Sequence, residues 1–215
     1  MSLPEEIALF PLPNVVLFPT VDLPLHIFEP RYREMVADAM KADRLIGMVL
    51  LRGDWRREYH AHPDVYSIGC VGRIEKFDLL PDGRSNLVLQ GLERFEIVEE
   101  LGGRAYRRAR VRWTPTAPEE APPGVREQLR QGALGLLAEG GRSRAEKIWS
   151  GLPTEWDKLV NLLSFGLPFG EVEKLALLEC AETNRRASRL IEIIEFRLAE
   201  QACLGPGFGE NEPRH

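Results

Sequence analysis

The sequence predicts an α+β protein in which a β-rich amino-terminal half precedes an α-helical half. Apolar runs of strand length, separated by proline and glycine, recur as far as Trp113. The stretch TPTAPEEAPPG, from Thr114 to Gly124, breaks this composition and is typical of a linker. Beyond it, apolar residues recur at the spacing of amphipathic helices. The predicted units are a β subdomain (residues 1–116), a linker (117–124), a helical subdomain (125–202) and a disordered tail (203–215).

The stretch IALFPLPNVVLFPTVDLPLHIFEPRY, residues 7–32, is strongly apolar but is interrupted by a proline every few residues. Fifteen uncharged residues precede Asp22, whereas a membrane-spanning helix needs about 20 apolar residues and tolerates interior proline poorly. Proline is accepted at the ends and edges of strands, and it favours extended backbone in the residue before it. The stretch therefore predicts short buried strands at Ile7–Leu9, Val15–Phe18 and Leu25–Phe28.

The rest of the β half contains one helix and several further strands. Pro30 suits the first turn of a helix, and Tyr32, Met35, Val36 and Ala39 follow at helical spacing. The predicted strands after this helix are Leu45–Leu51, Val65–Leu80, the runs LVLQ and FEIV on either side of Gly91, and Tyr106–Trp113. Roughly seven short strands predict a closed or partly closed barrel, because closure removes exposed strand edges.

The helical half is predicted as a bundle. The sequence predicts helices over Val125–Glu139, from Thr154 to a stop at Gly166 and Pro168, over Glu171–Cys180, and over Arg185–Glu200 with Thr183 as its cap.

Composition narrows the classes of function. The net charge of −5 and the pI of about 5.5 provide no overall positive field for nucleic acid or an anionic membrane. Three cysteines without a C-x-x-C pair argue against a disulfide framework and a structural zinc site. Neither a G-x-x-x-x-G-K-[ST] motif nor a G-x-S-x-G motif occurs. We expect a cytoplasmic protein with no catalytic residues, no cofactor, no metal and no membrane partner.

Several segments of the sequence, in this order, resemble the amino-terminal substrate-binding domain of the Lon protease family. They are ALFPLPNVVLFPTVDLPLHIFEPRY and the helix after it, YSIGCVGRI, LLPDG, LVLQGLERFEI, and the LLEC and RASRLIEIIEFRL helices. The resemblance extends from Ile7 to about Glu200. It implies a PUA-like β pseudo-barrel with one inserted helix, followed by an α-helical bundle. It also implies that the chain holds protein substrates and does not cut them.

The resemblance carries further expectations about partners and residues. Full Lon proteins continue into an ATPase module and a serine–lysine peptidase, and this chain ends after the last helix, so we expect a stand-alone, non-catalytic module. Its expected partners are unfolded or partly folded proteins and peptides, with a separate ATPase or protease as a further candidate. Glu29 and Arg94 stand at matching family positions, and we expect them to form a structural ion pair.

Large aromatic residues are the candidates for binding such partners. Tyr32, Trp113, Trp149, Phe165 and Phe169 are the predicted binding residues, most of them placed where the two halves should meet. Apolar side chains at such a junction either join the halves or line a groove for extended peptides. The sequence leaves both possibilities open.

Two alternatives from other classes remain. Tyr106, Arg108, Arg110 and Arg112 share one face of the predicted Tyr106–Trp113 strand, within a run of five arginines from Arg104 to Arg112. Such a face is of the kind that binds RNA, although Glu93, Glu96, Glu99 and Glu100 of the preceding hairpin are positioned to neutralise it and the acidic total disfavours nucleic acid. The second alternative is a metal enzyme at His60, His62 and Asp64, whose alternate spacing suits one side of an extended chain.

Overall fold

A computed structural model describes residues 3–55, 62–138 and 141–204. The strands of its β half are β1 Glu6–Leu12, β2 Asp22–Ile27, β3 Leu45–Leu51, β4 Val65–Leu79, β5 Ser85–Leu101 and β6 Arg107–Trp113. They form one six-stranded sheet in the order β2-β5-β4-β3-β1-β6.

The sheet closes on itself through its longest strand. The second half of β5 pairs with β6, from Phe95 opposite Trp113 to Leu101 opposite Arg108, and β6 pairs in turn with β1. The pairing of β1 with β3 is parallel, and the other pairings are antiparallel. Strands β1, β3, β4, β5 and β6 thus form a closed ring, and β2 extends the sheet beyond it. The prediction of a partly closed barrel is confirmed.

Two details of the predicted strands are wrong. Val15–Phe18 is not a strand; it is a loop whose Val16, Leu17 and Phe18 are buried. The two runs around Gly91 are one continuous strand, β5. Gly91 is not a turn: it lies where the Phe18–Val21 loop crosses β5, and it exchanges backbone hydrogen bonds with Thr20 and Val21. The described residues therefore contain six strands, where roughly seven were predicted.

Six helices lie in the described part of the chain, one inserted in the β half and five after it. They are α1 Pro30–Lys41, α2 Val125–Leu137, α3 Arg142–Ser150, α4 Trp156–Gly166, α5 Glu171–Glu179 and α6 Thr183–Leu204. Together with the mixed sheet they confirm the α+β class. None of these helices combines the length and the apolar composition that crossing a bilayer requires.

The helix predictions differ from the structure mainly at the ends. The buried side chains of α1 include Tyr32, Met35, Val36 and Ala39, as predicted. Helix α3 was not predicted as a separate element. Helix α6 includes Thr183, the predicted cap, and continues to Leu204, so residues 203–204 are helical and not part of a tail. The remainder of the predicted disordered tail, 205–215, lies outside the described residues.

One apolar core is shared by the barrel and the helices. A single cluster of buried residues contains Phe18 and Leu89 from the β half together with Leu129, Leu159 and Leu190 from the bundle. A second, smaller cluster fills the closed end of the barrel around Phe95. The predicted linker also contacts the bundle, because Glu119 accepts a hydrogen bond of 2.7 Å from the backbone N–H of Asn184 at the start of α6.

Candidate protein-binding surface

The five predicted aromatic residues do not form a common groove. Tyr32 and Phe169 are buried in the shared core, and Trp149 and Phe165 pack against it with partial exposure. Trp113 belongs to the separate barrel cluster, contacts Phe95 edge-on, and donates a 3.2 Å hydrogen bond from Nε1 to the carbonyl of Pro4. These are the contacts of packing residues. Of the two possibilities that the sequence leaves open, joining the halves therefore applies to most of the five.

The predicted ion pair between Glu29 and Arg94 is not among the salt bridges of the described residues. Glu29 pairs with Arg31 at 2.9 Å beside the start of α1. Arg94 is 2% exposed and donates from Nη2 to the carbonyl of Glu179, 3.1 Å away at the end of α5. Register on the long strand β5 directs Arg94 toward the helical bundle, and a sequence without known register does not reveal this. Arg94 still has a structural position, with a different partner.

The arginine face of β6 is neutralised by carboxylates. The partners are Glu6 for Arg108 at 2.7 Å, Glu99 for Arg110 at 2.9 Å, and Glu96 for Arg112. Tyr106 is 8% exposed and donates a 3.0 Å hydrogen bond to Asp38, so its ring is not presented for stacking on a base. An RNA phosphate would have to displace these carboxylates.

His62, one of the three residues of the predicted metal site, contacts a carboxylate outside that set. Its Nε2 lies 3.0 Å from Glu100 Oε2, and Arg107 donates to the same carboxylate at 2.6 and 2.9 Å. Burial acts to raise the pKa of Glu100, but the hydrogen bonds from Arg107 and His62 outweigh it and lower that pKa. His60 lies outside the described residues, and no group of three potential metal ligands occurs within the described ranges.

An apolar groove of about 450 Å³ lies on the part of the sheet that extends beyond the closed ring. We call it the open-sheet groove; its lining residues are Pro24, Leu25, His26, Lys76, Phe77, Asp78, Asn86, Leu87 and Val88. Large apolar side chains stand exposed beside it: Phe77 is 38% exposed, Leu79 65% and Phe28 60%. Exposed apolar groups gathered at one groove are typical of interaction sites.

The register of three strands builds this groove. Pro24, Val88 and Lys76 lie side by side across β2, β5 and β4, and His26, Asn86 and Asp78 form the next row on the same face. His26 Nδ1 and Asn86 Oδ1 are 2.7 Å apart, so this pair fixes the floor of the groove. Phe77 and Leu79 alternate with Lys76 and Asp78 and therefore project from the opposite face, at the border of the sheet where β4 is the outermost strand. Phe77 also contributes to the lining of the groove. The sequence signal that was missed is this alternation of Phe77 and Leu79 with Lys76 and Asp78 next to the LPDG turn.

A second apolar groove, also of about 450 Å³, lies between α5 and α6. Val172 and Phe196 are exposed at its walls, and Ala176 and Ile193 form its floor. Its rim carries Glu173, Glu192 and Arg189, and the carboxylate of Glu173 already accepts hydrogen bonds from Arg197 and the N–H of Gly170. This groove offers side chains but no free strand edge to a ligand.

A partly closed barrel joined to a helical bundle, with an apolar groove on the open part of its sheet, defines the architectural class of the chain. Residues 6–195 match the family model of the ATP-dependent protease La (LON) substrate-binding domain. The chain belongs to this family.

Individual relatives agree with the family match. The chain is 35% identical to the Lon protease of Paraburkholderia phytofirmans over 217 residues, covering 97% of this chain and 26% of that protein. It is 30% identical to the Lon protease of Parabacteroides distasonis over 205 residues, covering 91% of this chain and 24% of that protein. The chain thus spans about a quarter of the length of these two relatives.

Two solved structures have the same fold. A Lon N-terminal domain protein from Xanthomonas campestris is 26% identical and aligns with a TM-score of 0.61, covering 87% of this chain and 97% of that one. The N-terminal domain of the Mycobacterium avium complex Lon protease is 18% identical, with a TM-score of 0.64, and covers 88% of this chain and 98% of that one; this likeness concerns the fold alone.

Proposed function

We propose that this chain is a protein-binding module that holds exposed apolar segments of unfolded or partly folded proteins and catalyses no reaction itself. The observation that carries the proposal is the open-sheet groove together with the exposed apolar side chains of Phe77 and Leu79 on β4, the strand that borders it. Membership of a substrate-binding domain family supports the same class of function. The module acts in the cytoplasm as an adaptor or chaperone-like factor, and a separate ATPase or protease is the partner that would receive the captured protein.

The apolar area is suited to reversible holding. Full burial of a phenylalanine or leucine side chain contributes about 1.5–3 kcal/mol. Phe77 is already partly covered, so burying it together with Leu79 contributes a few kcal/mol, before the cost of ordering the ligand is subtracted. Affinity of this size lets a client bind and leave, as an adaptor requires.

The proposal is tested with fluorescently labelled β-casein, an unfolded polypeptide, titrated with the full chain and followed by anisotropy. We expect binding that changes little between low and moderate salt, because burial of apolar surface is not screened, whereas binding through several phosphates would weaken by orders of magnitude. Replacing Phe77 and Leu79 together by serine should weaken the binding of casein about tenfold, the equivalent of about 1.4 kcal/mol of lost apolar contact.

Two control variants identify the surface. Val98→Ser removes an exposed apolar side chain of β5 outside the groove and should leave casein binding unchanged. Phe196→Ser tests the groove between α5 and α6. The proposed site is wrong if Phe196→Ser lowers the affinity and the Phe77/Leu79 pair does not, and the proposed function is wrong if the unmodified chain does not bind casein.

A further inference from the structure

We propose that the free edge of β4, Glu75–Leu79, accepts an extended peptide segment of the client as an added strand. This inference rests on the proposed function and specifies how the client is held: by backbone hydrogen bonds to β4, with apolar side chains at every second position packing on Phe77 and Leu79.

The edge is free because β4 is longer than β3. The pairing of β3 with β4 begins at Leu45 opposite Arg73, and β4 then continues to Leu79. Along this extension β4 pairs with β5 on one side, ending at Leu79 opposite Ser85. No strand of the described ranges pairs with the other side of Glu75–Leu79.

The backbone groups on this free side point outward. The N–H of Leu80 donates a 2.8 Å hydrogen bond to the carbonyl of Arg84, toward β5. Backbone groups of successive residues point to opposite sides of a strand, so those of Phe77 and Leu79 point away from β5. An unpaired row of N–H and C=O groups is a template for another extended chain.

The opposite edge of the same three strands is protected, and this contrast locates the site on β4. Strand β2 is the outer strand there, and its Pro24 lies opposite Val88. The neighbouring pair of Val88 and Lys76 directs the hydrogen-bonding groups of Val88 toward β4, so the nitrogen of Pro24 faces outward, where it has no hydrogen to donate. Proline on an edge strand blocks the addition of a further strand, and Glu75–Leu79 contains none.

The side chains along the edge specify the chemistry of the occupant. Phe77 and Leu79 are exposed on one face, and Lys76 and Asp78 alternate with them on the other. A complementary strand therefore carries apolar residues opposite Phe77 and Leu79, an acidic residue opposite Lys76 and a basic residue opposite Asp78. A client segment with alternating apolar residues meets these requirements.

The short length of the edge favours a transient client over a second copy of this chain. Glu75–Leu79 spans about 17 Å at the rise of an extended strand. A stable interface between two proteins buries on the order of 1,200 Å² or more, which edge-to-edge pairing over so short a segment does not provide. A short extended peptide is suited to this length.

The test uses the unmodified full chain and a short fluorescein-labelled peptide in which valine alternates with threonine. Two further peptides carry N-methyl groups on the valine amides or on the threonine amides, so that each loses the N–H donors of one strand edge and keeps every side chain. Strand addition predicts that one methylation pattern lowers the affinity about tenfold or more and that the other leaves it nearly unchanged. Equal effects of the two patterns would overturn the inference.

A pair of variants provides a second measurement. Phe77→Ala removes the ring and keeps the outward N–H, whereas Phe77→Pro removes both and leaves the hydrogen bonds between β4 and β5 in place. Strand addition predicts that Phe77→Pro weakens peptide binding about tenfold more than Phe77→Ala, with circular dichroism verifying that each variant is folded.

The outcomes separate this inference from the proposed function. If casein binds but neither the methylation pattern nor proline matters, the function stands and strand addition is wrong. If the chain sediments as a dimer that Phe77→Pro converts to a monomer, a second copy occupies the edge and the inference is overturned.

Discussion

Arg94 and Arg186 are the two arginines that lie almost fully inside the described part of the protein, at 2% and 1% exposure. Arg186 donates from Nε to the carbonyl of Leu177 at 3.0 Å, from Nη2 to the carbonyl of Cys180 at 2.7 Å, and from Nη1 to Asn161. With Arg94 on Glu179, two guanidinium groups satisfy the last carbonyls of α5, where the helix dipole favours positive charge. These contacts attach α5 to β5 and α6.

Burial also changes the pKa of the Arg186 guanidinium. It lowers the pKa of Arg186 to about 10, and the neighbouring guanidinium of Arg94 acts in the same direction. Arg186 therefore remains charged at pH 7. A buried cation held mainly by neutral carbonyls stabilises the protein only while all its acceptors are in place.

We predict that Arg186→Met lowers the free energy of unfolding by about 3 kcal/mol, because it removes the guanidinium donor from the carbonyls of Leu177 and Cys180 and from the buried Asn161. Arg186→Lys should have an intermediate effect, since one ammonium group does not reach all three acceptors. Arg189→Met is the matched control on the same helix: its ion pair with Glu192 is exposed and should contribute less than about 1 kcal/mol. Urea unfolding measures all three, and equal losses at positions 186 and 189 would contradict the assignment.

At the scale of the elements, the crossing of the Phe18–Val21 loop over β5 determines how the β half is assembled. A Cβ atom on Gly91 would lie 2.0 Å from the carbonyl oxygen of Phe18. The missing side chain allows the N–H of Thr20 to donate to Gly91 at 2.7 Å and the N–H of Gly91 to donate to Val21 at 2.8 Å. The loop is thereby fixed against the strand, and β2 is directed to its place beside β5.

Gly91→Ala should therefore destabilise the protein by about 2 kcal/mol or more, because the clash is with backbone that cannot rotate away. Gly102→Ala is the control, since a Cβ atom there meets no atom within 4 Å. Thermal unfolding followed by circular dichroism compares the two variants. A Gly91→Ala protein as stable as the control would show that the loop does not approach β5 this closely.

At the scale of the whole molecule, the shared core couples the two halves. Phe18 of the β half lies beneath the guanidinium of Arg186, 5.9 Å from ring centroid to Cζ. Between the halves, Glu119 accepts a hydrogen bond from the N–H of Asn184 on α6, and Thr116 donates one to the carbonyl of Ala181 just before α6. Most of the buried apolar residues belong to one cluster that spans both halves. Neither half can lose its structure without exposing the apolar surface of the other.

We predict a single cooperative unfolding transition. Far-ultraviolet circular dichroism reports mainly on the bundle. The fluorescence of Trp113 reports on the barrel when the other tryptophans are replaced by phenylalanine. The unfolding midpoints from the two signals should coincide. Phe18→Ala should shift both midpoints together, with a loss of about 3–5 kcal/mol typical of a buried phenylalanine. Two separated transitions would contradict the coupling.

The local chemistry of the sequence was sufficient to predict the class of fold and most elements. Proline corners, helical spacing after Pro30 and the linker composition are local properties, and they predicted the strands of the β half, α1 and the start of the bundle. Long-range contacts were decided by the tertiary structure. Register on β5 directed Arg94 to Glu179 and not to Glu29, and a crossing loop turned the expected break at Gly91 into a continuous strand. The free edge of β4 exists because β3 begins only opposite Arg73 while β4 continues to Leu79, and a difference in length between two paired strands becomes visible only when both are in place.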